Sequence, residues 1–587
     1  MTEARTAWMA IVAGALAAEF ETRAPGQAAP KAGELVVETP PDPAMGDLGF
    51  PMFTMAKVLR AGPPQIAKAL EARIAAIPEA SALGQAKAVG PYLNVSLARS
   101  PEVARVLAAV RSPGWGQGTS LAGKRVMVEF SSPNTNKPLH LGHLRNNVLG
   151  ESVSRILAAE GAEVRKVNHI NDRGIHICKS MLAYMKKGEG RTPEDEGLKS
   201  DHFVGKYYVL FGELKNEAKD IETEAQELLV KWEAGEPAVR ELWKRMNEWA
   251  VSGIKKTYAR TGIGFDLYDY ESDTYELGRR FVHEGLARGI FFKAEDGSVQ
   301  VDLEDVGLDK KVLLRKDGTS IYITQDIGTA IERHESWPHD KLIYVVASEQ
   351  QYHFKVLFEI LKRLGFEWAR DLHHLSYGLV NLPSGRMKTR EGTVVDADDL
   401  IDELSRLAVS EIEAKGREDS VGDLAGVGEK IALGALHYYL LQTAPAKDML
   451  YDPEASLSFN GDTGPYIQYM GARASSIIRK ANKGEGTHVN GRPMPAKLES
   501  DADWALVRRV AAFPGAIEAA AAKVDSSIVA NYLHDLAQDF STWYRDNPVL
   551  ANPDADLAAS RLELVIAVRA TFAAAARLTC IPFLDAM

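Results

Sequence analysis

Cysteine is almost absent from this sequence: only Cys178 and Cys580 occur in 587 residues. Two thiols so far apart build neither a disulfide framework nor a four-cysteine zinc site, so zinc-dependent relatives drop out and no zinc is expected. A run of about 18 apolar residues, the minimum for a membrane helix, is also missing, so no membrane partner is expected and the chain reads as cytoplasmic. The apolar stretch Ala7–Ala18 follows Glu3 and Arg5 rather than a basic cluster, and is taken as the first helix of a domain instead of a signal peptide. Positive charge is not in excess either. With 69 Lys and Arg against 80 Asp and Glu the net charge is −11, which argues against indiscriminate nucleic-acid binding but allows a local basic track. What remains is an ordinary globular composition, 45% hydrophobic, on a chain long enough for three or four domains.

No internal repeat is visible. The first 110 residues begin with a helical segment, are interrupted by Pro40, Pro41 and Pro43, and resume as a helix around Gln65–Ile77. The alternating segment Val89–Leu97 reads as a strand, and Ser112–Gly118 (SPGWGQG) as a linker. Beyond it, strand Arg125–Phe130, polar loop Ser131–Pro138, helix His143–Glu160 and strand Ala162–Val167 make one βαβ unit. Such units build parallel sheets whose nucleotide sites lie at the carboxyl edge. Gly190 to about Gly297 is charged and mostly helical, with Trp232, Trp243 and Trp249 along it, and reads as an insertion. Strands are expected again at Val299–Leu303, Ser320–Thr324 and Leu342–Val346, and helices from Asp398 to the end. Within Ser526–Tyr544, behind Asp525 as N-cap, Val529, Leu533, Leu536, Phe540 and Trp543 form the core stripe of a bundle.

The sharpest chemical signal is Pro138-Leu139-His140-Leu141-Gly142-His143-Leu144-Arg145, directly after the first strand of that unit. Two imidazoles stand at the mouth of a helix whose free N–H groups and dipole favour phosphate. Gly142 would let an adenine ring approach the backbone, and paired histidines can donate to the α-phosphate as charge builds there. A histidine pair three apart is also a zinc half-site, but no third ligand with suitable spacing stands nearby. The segment resembles the HxGH signature of class I aminoacyl-tRNA synthetases. With its surroundings, VEFSSPNTNKPLHLGHLRNNVLGE, it resembles the arginine-specific family over some two dozen residues.

That resemblance implies an α/β fold: a Rossmann-like parallel-sheet catalytic domain with HxGH and KMSKS-type loops, an N-terminal α+β domain and a C-terminal all-helical bundle. The expected division is 1–112 for tRNA-elbow binding, 119–397 catalytic with the insertion at about 190–297, 398–454 connective, and 455–587 anticodon-binding. The counterpart of the KMSKS loop is Gly385-Arg386-Met387-Lys388-Thr389-Arg390-Glu391-Gly392, where Thr389 stands in place of the second lysine. Arginyl enzymes that lack this lysine carry one just upstream of the histidines, the place held here by Lys137. The resemblance thus assigns ATP to Lys137, His140, Gly142, His143, Met387 and Lys388, and catalysis to His140, His143, Lys137, Lys388 and Arg390.

A guanidinium substrate needs carboxylates and carbonyl-type acceptors facing its planar fork of donors. Glu129, Ser131 and Asn134 lie before the histidines, Tyr322 and Asp326 lie four apart, and Gln350 follows another strand. The resemblance implies that Asp326, Tyr322 and Gln350 grip the arginine side chain while Asn134 and Glu129 hold its α-amino end, with Ser131 beside them. The implied reaction is ATP-dependent adenylation of L-arginine, followed by transfer to the terminal adenosine of its tRNA with release of AMP and pyrophosphate. ATP, with Mg²⁺ on its phosphates, arginine and arginine tRNA are the expected partners of a monomer.

The run Phe459–Tyr469 followed by Ala472-Arg473, and the segment Tyr532 to Leu550, resemble the family's anticodon-binding domain; Pro91-Tyr92-Leu93-Asn94 resembles its tRNA-elbow site, giving Tyr92 and Asn94 as tRNA contacts. Among rivals, cysteine and methionine enzymes would want zinc ligands, and a glutamate enzyme would want arginines where Asp326 and Glu129 stand. A non-catalytic RNA-binding paralogue would not need intact His140, Gly142 and His143, and a small nucleotidyltransferase would not carry nearly 200 helical residues at its C-terminus.

Overall fold

The structure, a computed structural model, describes residues 2–217, 220–382, 385–386, 395–414, 416 and 422–587. Met387, Lys388 and Arg390 therefore lie outside the described residues. The chain forms two compact units, one of Met1–Gly116, Met470–Ala516 and Asp535–Ala574, the other of Gln117–Tyr469, Ile517–His534 and Ala575–Met587.

In the first unit, helices α1 (Thr2–Arg23) and α2 (Pro63–Ala75) accompany an antiparallel sheet of β1 (Leu48–Pro51), β2 (Gly84–Val89) and β3 (Tyr92–Leu97) in the order β1-β3-β2. The expected strand Val89–Leu97 is therefore a hairpin, because Gly90 at φ 55° and Pro91 turn the chain between Val89 and Tyr92. Helix α3 (Arg99–Arg111) follows. The expected linker is packed: Trp115 donates its indole N–H to Thr571 (3.0 Å) and its ring meets Phe513 at 6.0 Å. Asp47 accepts from Leu97 N (2.8 Å), Trp504 Nε1 (3.0 Å) and Arg508 Nη1 (3.1 Å), tying the sheet to helix Asp501–Ala511. The stripe Val529, Leu533, Leu536, Phe540 and Trp543 is buried as its spacing requires, in a helix over Ser527–Asp546.

The second unit holds a five-stranded parallel sheet in the order β11-β10-β4-β5-β6. Its strands are β4 (Arg125–Glu129), β5 (Glu163–Ile170), β6 (Leu267–Tyr270), β10 (Lys341–Ala347) and β11 (Leu372–Tyr377); β7 (Phe292–Lys293), β8 (Val299–Val301) and β9 (Lys311–Leu314) form a separate small sheet. Helix α4 (Leu141–Ala159) crosses from β4 to β5. Helices α5 (Ile175–Lys187), α6 (Ser200–Glu217), α7 (Ile221–Glu233) and α8 (Pro237–Thr261) pack around their own aromatic core, with Tyr184 against Tyr207 (5.1 Å) and Phe203 against Trp249 (5.3 Å). The expected insertion at 190–297 is thus cut short. β6 lies inside that range and belongs to the main sheet, paired with β5 through Val167–Leu267 to Ile170–Tyr270.

Helices α9 (Leu277–Ala287), α10 (Tyr322–Ser336) and α11 (Gln351–Arg363) complete this α/β body. The expected strand Ser320–Thr324 is instead the entry to α10, and only Ser320 bridges Leu314. The β-branched Ile321, Ile323 and Thr324 favour a strand locally. Tertiary packing overrides this, burying Ile323, Ile327, Ala330 and Ile331 as a helical stripe against Met127, Val167, Leu342 and Tyr344 of the sheet. Helices α12 (Ala397–Ala414) and α13 (Leu424–Leu441) follow, with Met449–Leu450 as a short strand in the otherwise helical C-terminal part.

α9 and α10 cross at Gly278 and Gly328. A Cβ on Gly278 would lie 1.6 Å from the Thr324 carbonyl oxygen, and one on Gly328 would lie 2.2 Å from Gly278 N. Overpacking of a tight contact costs about 1–3 kcal/mol. Gly278→Ala is therefore expected to lower the melting temperature by several degrees; a melting temperature equal to the parent's would contradict this crossing.

Candidate active site

At the end of β4 the chain takes two successive left-handed residues, Ser131 (φ 72°) and Ser132 (φ 45°). Such a backbone costs of order 1–3 kcal/mol per residue and persists only when neighbours hold it. Asn146 accepts from Ser131 N (2.5 Å), Asn168 accepts from Ser132 N (3.2 Å), and Asn171 donates to the Ser132 carbonyl (2.9 Å). Tyr258 of α8 lies with its hydroxyl 2.6 Å from Ser131 Oγ and accepts from Asn168 Nδ2 at 3.0 Å. The loop is thereby fixed by α4, β5 and α8 together. Ser131 is buried and its hydroxyl is engaged with Tyr258, so what it offers a substrate is backbone. Asn134 is exposed beyond it.

The loop ends on the histidines. His140 is the N-cap of α4, its Nδ1 accepting from Gly142 N (3.1 Å), while His143 Nδ1 accepts from His140 N (3.1 Å). An Nδ1 that accepts a hydrogen bond leaves the proton of a neutral imidazole on Nε2. Burial, aided by Lys137, pushes His140 down to about 4, and burial beside His140 and Lys137 pushes His143 well below the ordinary value. Both rings are therefore neutral Nε2–H donors near pH 7, with centroids 3.9 Å apart. Gly142 has a steric reason of its own, since a Cβ there would come within 3.0 Å of the His140 ring.

Lys137 is half-buried, lowered by desolvation, and makes no ion pair among the described residues. It lines a cavity of about 250 Å³ with His140, His202, Lys206, Tyr208 and Asp396. Asp396 bridges His140 in strand fashion, with Leu141 N donating to the Val395 carbonyl (3.1 Å) and Ala397 N to that of Leu139 (3.0 Å). Residues 395–397 are thus pinned to the histidine motif. Asp201, His202 and Asp398 are close enough to share a cation. Lys199 Nζ, however, already lies 2.8 Å from both carboxylates, so these residues do not fit a metal ion.

The acidic side of the same edge is built by β6, α10 and α11. Because the five strands are parallel, the ends of β4, β5, β6 and β10 lie along one edge, and α10, running back before β10, brings its N-terminus there. Asp326 Oδ2 lies 2.6 Å from His353 Nε2. Glu271, directly after β6, is raised to about 7, chiefly by burial and further by Asp172 and Asp326; Arg173, 4.0 Å away, opposes the shift. Glu129 is committed to Arg333 on one oxygen and accepts from Ser132 Oγ (3.3 Å) on the other. Tyr322 is 77% exposed at the first turn of α10 and Gln350 is exposed, so neither is closed over the acids. In the first unit, Tyr92 is half-buried with Phe53 edge-on at 5.7 Å, whereas Asn94 is buried in the sheet and does not offer its side chain at the surface.

Of the residues singled out from the sequence, Glu129, Asp326, His140, His143 and Lys137 stand at this edge; Glu271, His353, Arg333 and Tyr258 join them there from the fold. His353 stood three residues past Gln350 and carried a signal; Glu271 was hidden by reading β6 as part of an insertion. Among the described residues, no helix is long and apolar enough to cross a membrane.

Comparison with known proteins bears on this geometry. A family model described as tRNA synthetases class I (R), catalytic domain, matches residues 105–452; an arginyl tRNA synthetase N terminal domain matches 8–97 and a DALR anticodon binding domain matches 467–587. The chain is 54% identical over 560 residues to the arginine–tRNA ligase of Treponema denticola, covering 94% of this chain and 95% of that protein. It is 44% identical to that of Bacteroides thetaiotaomicron, covering 88% and 90%. Among solved structures it resembles the Thermus thermophilus arginyl-tRNA synthetase with a TM-score of 0.79 at 28% identity, covering 99% of this chain and all of that one. The Plasmodium falciparum arginyl-tRNA synthetase, at 18% identity and a TM-score of 0.77 over 98% of each chain, shares the fold.

Proposed function

Since the chain belongs to the class I arginyl-tRNA synthetases, ligases that charge tRNA with arginine, we propose which of its residues carry each step. Asp326 and Glu271 receive the guanidinium of the substrate, with Tyr322 and Gln350 closing on it, while Glu129, Asn134 and the Ser131 backbone meet the α-amino end. His140 and His143 donate through Nε2–H to the α-phosphate of ATP, Lys137 supplies charge to the β- and γ-phosphates in company with Lys388 and Arg390, and Met387 contacts the nucleotide. The arginine carboxylate then attacks the α-phosphorus and pyrophosphate leaves. The terminal ribose hydroxyl of the tRNA next attacks the arginyl carbonyl, and AMP leaves. No protein nucleophile is required, because positioning and preorganised charge supply the acceleration.

One observation carries this reading. Two carboxylates, Asp326 against His353 and Glu271 with Arg173 no nearer than 4.0 Å, stand on the same sheet edge as two neutral N–H-donating imidazoles and a half-buried lysine. Mg²⁺ enters with ATP on its phosphates, since Lys199 already occupies the acidic group nearest the cavity. Tyr92 of segment 1–112 meets the tRNA elbow, and segment 455–587 reads the anticodon. Arginine-dependent ATP–pyrophosphate exchange, with and without tRNA and with lysine, glutamine and glutamate alongside, tests the assignment. Exchange supported by arginine alone is expected; equal exchange with glutamine would overturn it.

A pH dependence follows from Glu271. Its carboxyl, raised to about 7 in the empty site, is protonated below that pH and then offers no charge to a guanidinium. Bound arginine favours the ionised form, so arginine binding releases a proton on the acid side. KM for arginine is expected to rise as pH falls below about 7, by up to tenfold per unit, and Glu271→Gln should flatten this rise at a higher KM. A profile flat from pH 6 to 8 in the parent would refute it.

A further inference from the structure

Arg333 lies on α10, seven residues after Asp326 and eleven after Tyr322, spacings that place all three on one helical face. Unlike the other two it is buried, with 2% of its side chain exposed. Beneath it Glu129 of β4 pairs in register with Tyr344 of β10 and Val167 of β5, and His169 of β5 pairs with Asp269 of β6. Since alternate residues of a strand share a face, Tyr344, Glu129, His169 and Asp269 form a row across four strands on the side that α10 covers. The guanidinium spans that row. Nη1 donates to Glu129 Oε2, Nη2 and Nε donate to Asp269 Oδ2 at 2.8 and 2.9 Å, and the other Asp269 oxygen lies 2.8 Å from His169 Nδ1.

Two carboxylates on one buried face repel, and without a cation between them one would protonate or capture any guanidinium that entered. Burial works against ionised Asp269, yet the Arg333 charge prevails and holds it at about 2. This pair is therefore already filled by a group with the same chemistry as the substrate's side chain. Resting on the pocket proposed above, we infer that Arg333 is a positioning residue for substrate arginine. By clamping Glu129 and Asp269 it fixes the carboxylate that meets the α-amino end and the helix that carries Asp326. It also excludes an off-register acidic pocket from competing for the incoming guanidinium, which leaves Asp326 and Glu271 to receive it.

The test is arginine-dependent pyrophosphate exchange, with tRNA present, on Arg333→Ala and Arg333→Lys in the full chain. For Arg333→Ala, KM for arginine is expected to rise at least tenfold while KM for ATP stays within twofold. Millimolar guanidinium should recover part of the lost activity by refilling the clamp, urea should recover none, and guanidinium should only inhibit the parent. An arginine KM within twofold of the parent, a parallel rise in KM for ATP, or equal recovery by urea would overturn the inference. Should Arg333→Ala fail to fold, Arg333→Lys decides. A lysine keeps the charge but cannot fork to both acids, so a more than threefold rise in arginine KM alone is expected, and an unchanged value overturns the inference. Asp326→Ala in the same assay separates the two levels. If it keeps arginine activation, the pocket itself is misassigned; if it loses activation while both Arg333 variants behave as the parent, only the clamp is refuted.

Discussion

Asp326→Ala is expected to abolish arginine-dependent pyrophosphate exchange while leaving ATP binding close to the parent's. Asp326 sits in the second turn of α10, at the carboxyl edge, with His353 against one oxygen. A guanidinium seated there would meet that carboxylate and Glu271, the acid that burial has left reluctant to ionise without a cation. Truncating one partner of a charge pair that is buried, as this one would be once substrate covers the half-exposed Asp326, costs about 2–5 kcal/mol, which is roughly 30- to 5,000-fold in kcat/KM. The upper part of that range is expected, because loss of Asp326 also strands His353. Asp326→Asn, which keeps the shape and one acceptor, should fall between. Arginine activation retained in Asp326→Ala, measured by exchange alongside ATP binding by calorimetry, would remove its assigned role.

Lys137→Ala is expected to slow adenylation by more than tenfold. The reason lies in what surrounds the ammonium. It is half-buried in the loop before the histidines, desolvated enough to be lowered, and has no acidic partner among the described residues. A cation held in that state gains most from an arriving polyanion, which restores its ordinary protonation and repays the desolvation. With His140 and His143 neutral, Lys137 brings a full positive charge beside them, whereas Lys206, which also lines the cavity, is paired with Glu196. Thr389, standing where the loop of related enzymes has a lysine, makes the same demand from the sequence side. Single-turnover formation of the adenylate is the measurement. If Lys388→Ala slows it as much and Lys137→Ala does not, the upstream lysine has not taken over that charge.

The histidine end of the candidate site is legible in the sequence because its parts are local. Strand, loop, N-cap histidine and helix follow one another between Arg125 and Ala159, and capping chemistry orders them without help from distant residues. The acidic half was legible only in part. Asp326 and Glu129 stand out in the sequence, but Glu271 depends on β6 pairing with β5 across about a hundred residues, a partnership no local pattern announces. Tyr322 illustrates the opposite failure. Its β-branched neighbours read as a strand, yet the sheet demanded a helical stripe at Ile323, Ile327 and Ile331, and the tyrosine was left exposed at the first turn. The burial of Asn94 is likewise not legible, since period-two alternation says that a strand has two faces but not which one is covered. Arg333 was invisible for the same reason as Glu271: its partners come from β4 and β6, which only the folded sheet brings together.

L-citrulline matches arginine in shape but carries a neutral ureido group in place of the guanidinium. Pyrophosphate exchange with the two amino acids side by side therefore reads the charge of the proposed pocket directly. Arginine should be preferred by more than about a thousandfold in kcat/KM, as for a site whose polar groups would be left unmatched by the wrong substrate. Citrulline activated within tenfold of arginine would mean that Asp326 and Glu271 do not receive the side chain.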